Sequence, residues 1–155
     1  MVYRAFSRPD ATEVGQKIRA ACDVSGALLL VGRDADLAAQ LGADGLHLPE
    51  RDLQRAVEIM ARHPDWIITC ALHSGLGDRS AEGLDAFIVS PVFSAGGASA
   101  AKPELGIEAF SALVQALPCP AYGLGGIHVG NVEMLTDTQA CGVAGVDAIQ
   151  DAFGG

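Results

Sequence analysis

The sequence has few positive charges and no long apolar run. Its 155 residues include 10 lysines and arginines against 19 aspartates and glutamates, which gives a formal net charge of −9. Nucleic acids and anionic membrane surfaces are bound through basic patches, so neither is expected as a partner. No apolar stretch approaches the roughly 20 residues that span a bilayer, and the first residues, MVYRAFSRPD, lack a signal-peptide core. These absences predict a cytoplasmic protein.

Cysteines are also few, and their spacing forms no metal-binding or redox motif. The chain has four, at Cys22, Cys70, Cys119 and Cys141, and no two of them form a CxxC pair. Widely separated cysteines of this kind predict free thiols in a reducing compartment, not a disulfide or zinc framework. The chain length predicts a single domain over residues 1–155 with a substantial core.

The sequence does contain a regular alternation of short apolar segments and helix-like segments. The apolar segments are almost continuous, as in parallel strands that are covered on both faces. Asp10 is the predicted N-cap of the first helix, with Glu13 completing a capping box. The predicted strands are Val2–Phe6, Leu28–Val31, Gly45–Leu48, Ile67–Ala71, Ala86–Ser90, Ala121–Leu124 and Gly145–Ala148. The predicted helices are 11–24, 36–41, 52–62, 78–83, 107–117 and 129–139. This order predicts a parallel α/β fold.

A weak internal repeat supports the same fold class. It is visible in LGADGLHL (41–48), EGLDAFIVS (82–90) and CGVAGVDAI (141–149). Gly42, Gly83 and Gly142 fit the position that closes a helix before the next strand, and Asp44 and Asp85 are interpreted as helix caps or terminators. A repeated joint of this kind favours a (β/α) barrel over a doubly wound sheet, although it also has a purely structural explanation. No GxGxxG motif follows the first strand.

Two adjacent glycines end the apolar run of CPAYGLGGIHVGNV (119–132), just before a helix predicted to open near Val129. In (β/α) barrels the functional face lies at the strand C-termini, and the last loops often bind phosphate. Gly125 and Gly126 lack Cβ atoms, so their N–H groups can turn towards an anion. A tight turn without a ligand is the alternative.

Several of these segments, taken together, resemble one known family. The segments are GADGLHLPERDL (42–53), TCALHS (69–74), DAFIVSPVF (85–93), AYGLGGI (121–127) and GVAGVDAI (142–149). From Val2 to Phe153 the chain resembles the thiamine-phosphate synthase/TenI family of TIM barrels. The resemblance implies a TIM-type (β/α) barrel, shortened, that binds a thiazole phosphate or similar small phosphate ester. Gly125, Gly126 and the backbone of Ile149 and Gln150 would hold the phosphate.

The positions that the resemblance assigns to synthase chemistry are largely replaced. Expelling pyrophosphate requires Mg²⁺ and cationic side chains that stabilise the departing charge. Arg4 is retained as a candidate catalytic residue, but Phe6 takes the position of the family's lysine. Arg33 takes the position of the first metal-binding aspartate, and Asp52 is present at the second. The pyrophosphate loop has Ala95, Gly97 and Ala98 at its aligned positions, with Lys102 displaced. Mg²⁺ is therefore implied only if synthase activity is retained. We expect Arg33 to contribute charge at the phosphate site instead.

His73 follows a strand at which the TenI-type thiazole tautomerases carry an acid–base histidine. Proton transfer of this type needs no metal, and a histidine is a suitable shuttle. The resemblance therefore leaves three functions open: a synthase-like protein, a tautomerase that uses His73, and an inactive phosphate-binding or regulatory barrel. His47 is interpreted as structural.

The ends of the chain predict an oligomer. Val2–Phe6 aligns with the second strand of the family's barrel, so the first strand and the last helix have no counterpart. Two neighbouring strands, Val2–Phe6 and Gly145–Ala148, would then present uncovered edges. Either the barrel closes with seven strands, or another chain covers the opening. Because a barrel does not readily close around a missing strand, we expect a homodimer across this seam.

Overall fold

The computed structural model describes residues 1–94 and 103–146. The chain divides into two compact units. The first comprises Met1–Cys70 and Ala81–Asp85, and the second comprises Ala71–Ser80 and Ala86–Gly155. Within each unit the strands lie side by side in the order in which they follow in the chain. In the described ranges, no helix combines the length and apolarity needed to cross a membrane. A single domain over residues 1–155 stays a prediction.

The first unit is a run of parallel strands connected by helices. Leu30 pairs with Gly45, and Gly45 pairs in turn with Ile67, so three strands are aligned at their starts. The strands are β1 (Val2–Tyr3), β2 (Leu30–Gly32), β3 (Gly45–Leu48) and β4 (Ile67–Leu72). The helices are α1 (Ala11–Ser25), α2 (Ala35–Gln40) and α3 (Ala56–Arg62), with a 3₁₀ segment, Glu50–Arg55, leading into α3.

The core of the first unit is formed by the strands, because most strand residues are apolar and buried. Val31, Leu46, Leu48 and Ile68 are fully buried. Each such side chain contributes about 1.5–3 kcal/mol of transfer free energy when it leaves water. Burial of such continuous apolar segments is typical of parallel strands.

An aspartate joins each of two strands to the strand before it. The N–H of Asp44 donates to the carbonyl of Leu29 at 2.8 Å, and the Asp44 carboxylate accepts from the Leu29 N–H at 2.7 Å. Asp85 repeats both bonds with Ile68, at 2.9 and 2.7 Å. Asp44 also accepts from Arg19, and this bond lowers the pKa of Asp44. The two aspartates are therefore strand braces. They cap no helix, so that part of their interpretation was wrong, and their role as terminators stays a prediction.

The second unit repeats the parallel βα arrangement. Phe87 pairs with Ala121, and Tyr122 pairs with Gly142. Phe87 and Phe110 are fully buried here. The strands are β5 (Ala86–Val89), β6 (Ala121–Leu124) and β7 (Gly142–Ala144). The helix α4 spans Gly106–Ala116, and a 3₁₀ segment spans Val132–Thr138.

Some predicted elements differ from the structure. Residues 78–83, predicted as a helix, form turns and irregular chain. The last predicted helix, 129–139, is the shorter 3₁₀ segment that begins at Val132. Asp10 is the N-cap of α1, but its carboxylate binds Arg8 and makes no capping bond. The last predicted strand, Gly145–Ala148, is three residues too late, and its final two residues lie outside the described part.

The error in the last strand has a local cause. Gly42, with a φ of 57°, is the left-handed residue that closes α2 two residues before Asp44. At the third joint the left-handed residue is Gln139, with a φ of 65°, and the N–H of Cys141 donates to the carbonyl of Ala121 at 2.8 Å. Gly142 was predicted to close a helix, but it is the first residue of β7. The third repeat is thus built around Gln139.

We predict that Gly45→Ala destabilises the fold. An added Cβ would overlap the carbonyl oxygen of Ile67 and lie 2.7 Å from its carbonyl carbon. Because this neighbour is backbone within a ladder, we expect a loss of about 1–3 kcal/mol in the free energy of unfolding, measured by urea denaturation. Gly75→Ala is the control, since its Cβ would meet nothing within 4 Å. Equal midpoints for the two variants would contradict the prediction.

Candidate functional site

Charged side chains gather where the strands of the first unit end. Arg4 follows β1, Arg33 follows β2, and Asp52 lies in the 3₁₀ segment after β3. The carboxyl ends of parallel strands share one edge, which is where ligands bind in (β/α) folds. The N–H of Arg33 donates to the carbonyl of His47 at 2.8 Å, so these strand ends are hydrogen-bonded to each other.

Arg33 and Asp52 form an ion pair. The Nε of Arg33 lies 3.2 Å from the Oδ2 of Asp52, and the Nη1 of Arg55 lies 3.9 Å from the same oxygen. The Asp52 side chain is 17% exposed and that of Arg33 is 62% exposed. Arg33 has a φ of 70°, a left-handed conformation that costs a non-glycine residue about 1–2 kcal/mol. The predicted metal ligand and the predicted phosphate-binding arginine are thus each other's partners.

This pairing bears on Mg²⁺, which the family resemblance implies for synthase activity. Mg²⁺ requires several oxygen ligands in octahedral geometry. Asp52 faces two guanidinium groups, and residues 1–94 and 103–146 contain no cluster of three or more His, Cys, Asp or Glu side chains suited to a metal. The described residues therefore do not fit Mg²⁺. Lys102 and the aligned positions of the pyrophosphate loop, Ala95, Gly97 and Ala98, lie outside the described residues.

Arg4 and His47 are held by neighbouring side chains. The Arg4 guanidinium stands over the ring of Phe6, with 4.8 Å between its Cζ and the ring centroid, an arrangement that favours a cation. The Nδ1 of His47 lies 2.9 Å from the Oγ1 of Thr69. Burial, and secondly the charge of Arg4, lower the pKa of His47 to about 4. His47 is therefore neutral at physiological pH, and its interpretation as structural stays a prediction.

In the second unit, His73 lies beside the end of β5. Its Nδ1 is 2.7 Å from the backbone carbonyl oxygen of Ser90. A carbonyl only accepts hydrogen bonds, so Nδ1 carries a proton. The Ser90 Oγ lies 3.3 Å from the same nitrogen. His73 is thus oriented by a backbone group.

The glycine pair after β6 lies against the chain that follows β5. Gly125 and Gly126 have φ values of 98° and 64°. A Cβ on Gly125 would lie 2.7 Å from the Cβ of Pro91, and a Cβ on Gly126 would overlap the carbonyl oxygen of Ser94. Both glycines are therefore required by backbone conformation and by close approach of the protein's own chain.

The hydrogen bonds around the pair hold the carbonyls of residues 124–126. Leu124 and Gly125 accept from the N–H groups of Val92 and Phe93 at 2.9 and 3.0 Å, and Gly126 accepts from the Asn131 side chain at 2.8 Å. Within residues 1–94 and 103–146, the N–H groups of Gly126 and Ile127 reach no protein acceptor. N–H groups of this kind can bind an anion.

Two other parts of the predicted phosphate site are not found in the described structure. No helix begins near Val129, so the predicted helix N-terminus is absent there, and the 3₁₀ segment starts at Val132. Ile149 and Gln150 lie outside the described residues. The sequence reasoning also overlooked Asn131, although an asparagine directly before a helical segment is a known capping signal.

The low pKa of His47 predicts a pH-dependent stability. In the unfolded chain the pKa is 6.5, and in the folded chain it is about 4, so only the unfolded chain takes up this proton between those values. The contribution of His47 to the free energy of unfolding is therefore complete above pH 6.5 and is lost as the pH falls to 4. The loss amounts to at most about 3 kcal/mol. Urea unfolding of the parent and of His47→Gln at pH 7.5 and 4.5 should show a smaller loss in the variant. An equal loss in both would assign the pH dependence to other groups.

Comparisons with known proteins identify the family of this chain. A family model described as thiamine monophosphate synthase matches residues 2–149. The thiamine-phosphate synthase of Syntrophomonas wolfei is 32% identical over 142 residues, which cover 90% of this chain and 68% of that protein. The putative thiamine-phosphate synthase 2 of Aquifex aeolicus is 29% identical, over 86% of this chain and 72% of that protein. The chain thus spans about two thirds of the length of these relatives.

Solved structures show the same fold. A thiamine phosphate pyrophosphorylase from Pyrococcus furiosus superposes with a TM-score of 0.78 at 24% identity, covering 94% of this chain and 70% of that one. An N-(5'-phosphoribosyl)anthranilate isomerase from the same organism gives 0.64 at 12% identity, covering 94% and 75%. These matches confirm the predicted TIM-type (β/α) barrel fold, shortened relative to the full barrel. By its sequence, the chain belongs to the thiamine monophosphate synthase family.

Proposed function

We propose that this chain binds a thiazole phosphate or a similar small phosphate ester of thiamine biosynthesis through the loop after β6. One observation carries the proposal. The carbonyls of residues 124–126 are all hydrogen-bonded within the protein, while in the described ranges the N–H groups of Gly126 and Ile127 have no protein acceptor. A phosphate would supply the acceptors that these two groups lack. The names of the relatives, thiamine-phosphate synthases, support this class of ligand.

The proposal separates phosphate binding from the transferase reaction. A departing pyrophosphate needs concentrated positive charge. In the first unit the Arg33 guanidinium is engaged by Asp52 and the Arg4 guanidinium stands over Phe6. These contacts support a protein of the family whose ability to bind pyrophosphate is reduced. Arg4 remains the candidate catalytic cation for any synthase activity.

A second candidate function, metal-independent proton transfer, is favoured by the orientation of His73. With Nδ1–H donated to the Ser90 carbonyl, Nε2 can accept a proton from a bound thiazole carboxylate phosphate. The imidazolium so formed then returns that proton to another atom of the same molecule, so atoms and charge balance without a further reactant. This is general acid–base catalysis by one histidine, worth roughly 10²–10⁴ in rate.

The proposed phosphate site predicts a loss of binding in Gly126→Ala. The added Cβ would overlap Ser94 and lie 2.8 Å from the Phe93 Cβ, which displaces the loop and its N–H groups. We expect thiazole phosphate to raise the melting temperature of the parent and not that of the variant. Gly26→Ala is matched in strain, with a φ of 69° against 64°, and its Cβ would meet nothing within 4 Å. If saturating thiazole phosphate leaves the parent's melting temperature unchanged, the proposed ligand is wrong.

The second candidate predicts that His73→Asn abolishes tautomerisation of thiazole carboxylate phosphate while leaving phosphate-ester binding intact. The loss in kcat should be at least about 10²-fold, measured by the change in ultraviolet absorbance of the substrate in the presence of EDTA. His63→Asn removes a histidine that stacks on Trp66 in the first unit and should keep the parent rate. Binding without turnover in the parent would instead support the inactive phosphate-binding protein.

A further inference from the structure

We infer that Asn131 is the positioning residue of the loop after β6, where its side-chain amide sets the direction of the Ile127 N–H. The inference rests on the proposed function, because the N–H that Asn131 orients is one of the two offered to phosphate. Asn131 lies four residues beyond Ile127, at the start of the last 3₁₀ segment.

Both halves of the Asn131 amide are used inside the loop. Its Nδ2 donates to the Gly126 carbonyl at 2.8 Å, and its Oδ1 accepts from the His128 N–H at 2.8 Å. The first partner is an acceptor only and the second a donor only, so the amide has one consistent orientation. Its own N–H donates to the His128 carbonyl at 3.0 Å, which holds the side chain over the loop.

The geometry of the peptide bond turns these contacts into an orientation. A trans peptide is planar, with its C=O and N–H pointing in opposite directions. The Gly126 carbonyl points to Asn131, so the N–H of Ile127, in the same peptide plane, points away from Asn131. In the preceding peptide the Gly125 carbonyl points to the Phe93 N–H. The N–H of Gly126, in that same peptide plane, therefore points away from Phe93.

Two successive N–H groups are therefore aimed by two different partners. The direction of the Gly126 N–H depends on the main-chain N–H of Phe93, which only a substitution by proline removes. The direction of the Ile127 N–H depends on a side chain. Gly126 has a φ of 64° and no Cβ, so the peptide plane after it rotates with little hindrance once its carbonyl is released. Without Asn131 the Ile127 N–H loses its fixed direction and the anion loses one of its two hydrogen bonds.

The inference is tested by titrating inorganic phosphate into ¹⁵N-labelled parent and variant proteins and following individual amide signals. In the parent we expect the Gly126 and Ile127 signals to shift together. In Asn131→Ala the Ile127 shift should be lost, the Gly126 shift should remain, and the affinity should fall about tenfold, the usual effect of one hydrogen bond to a charged group. Thr136→Ala removes a side-chain bond to the Glu133 carbonyl in the same 3₁₀ segment and should behave like the parent.

A second variant covers the case in which Asn131→Ala does not fold. Asn131→Asp keeps an oxygen that accepts from the His128 N–H, but it has no donor for Gly126. Its added negative charge weakens phosphate binding at both amides, so the decisive quantity is the ratio of the Ile127 shift to the Gly126 shift. This ratio should still fall well below its value in the parent. A parental ratio of shifts in either folded variant overturns the role of Asn131 while leaving the phosphate site intact. Phosphate that shifts neither amide in the parent refutes the proposed function, and the inference falls with it.

Discussion

The second unit depends on the hydrogen bonds made by the backbone of residues 90–93, directly after β5. The N–H of Ser90 donates to Leu72, and its carbonyl accepts from His73. Pro91 and Val92 accept from the N–H groups that open α4, at Leu105 and Gly106, each at 3.0 Å. Val92 and Phe93 donate to the carbonyls before and within the glycine pair. Because buried backbone groups must all be paired, this short segment fixes the histidine, the start of the helix and the glycine loop at once.

The two units differ in the polar groups that lie near their strand ends. In the first unit the polar groups at the strand ends are side chains, and the ion pair of Arg33 with Asp52 balances part of their charge. His47 contributes no charge because burial keeps it neutral. In the second unit the described polar groups near the strand ends include backbone N–H groups and the imidazole of His73, which is oriented by the Ser90 carbonyl. Such groups suit recognition of a phosphate and transfer of a proton, neither of which needs a metal.

The extent to which the sequence revealed this arrangement depended on how local each signal was. Gly45–Leu48 and Ala121–Leu124 match the observed strands to the residue, because an apolar run ends in each case at a residue with a distinct backbone preference. The third joint was misplaced because Gln139 takes the left-handed conformation usually held by glycine, which composition does not reveal. The ion pair of Arg33 with Asp52 joins residues 19 positions apart, and its geometry follows only from strand register. The role of Asn131 likewise depends on which carbonyl its amide reaches.

The aspartate braces also determine how stability is distributed along the strands. Asp44 and Asp85 each add a side-chain hydrogen bond to the backbone bond that starts a strand, whereas Cys141, at the equivalent place before β7, makes the backbone bond alone. Strand starts held by two bonds, one of them to a charged group, cost more free energy to open than a start held by one. The joint before β7 should therefore open more readily than the joints before β3 and β5. Native-state opening should then proceed from β7, so that β6 and the glycine loop attached to it exchange their amide protons sooner than the braced strands of the first unit.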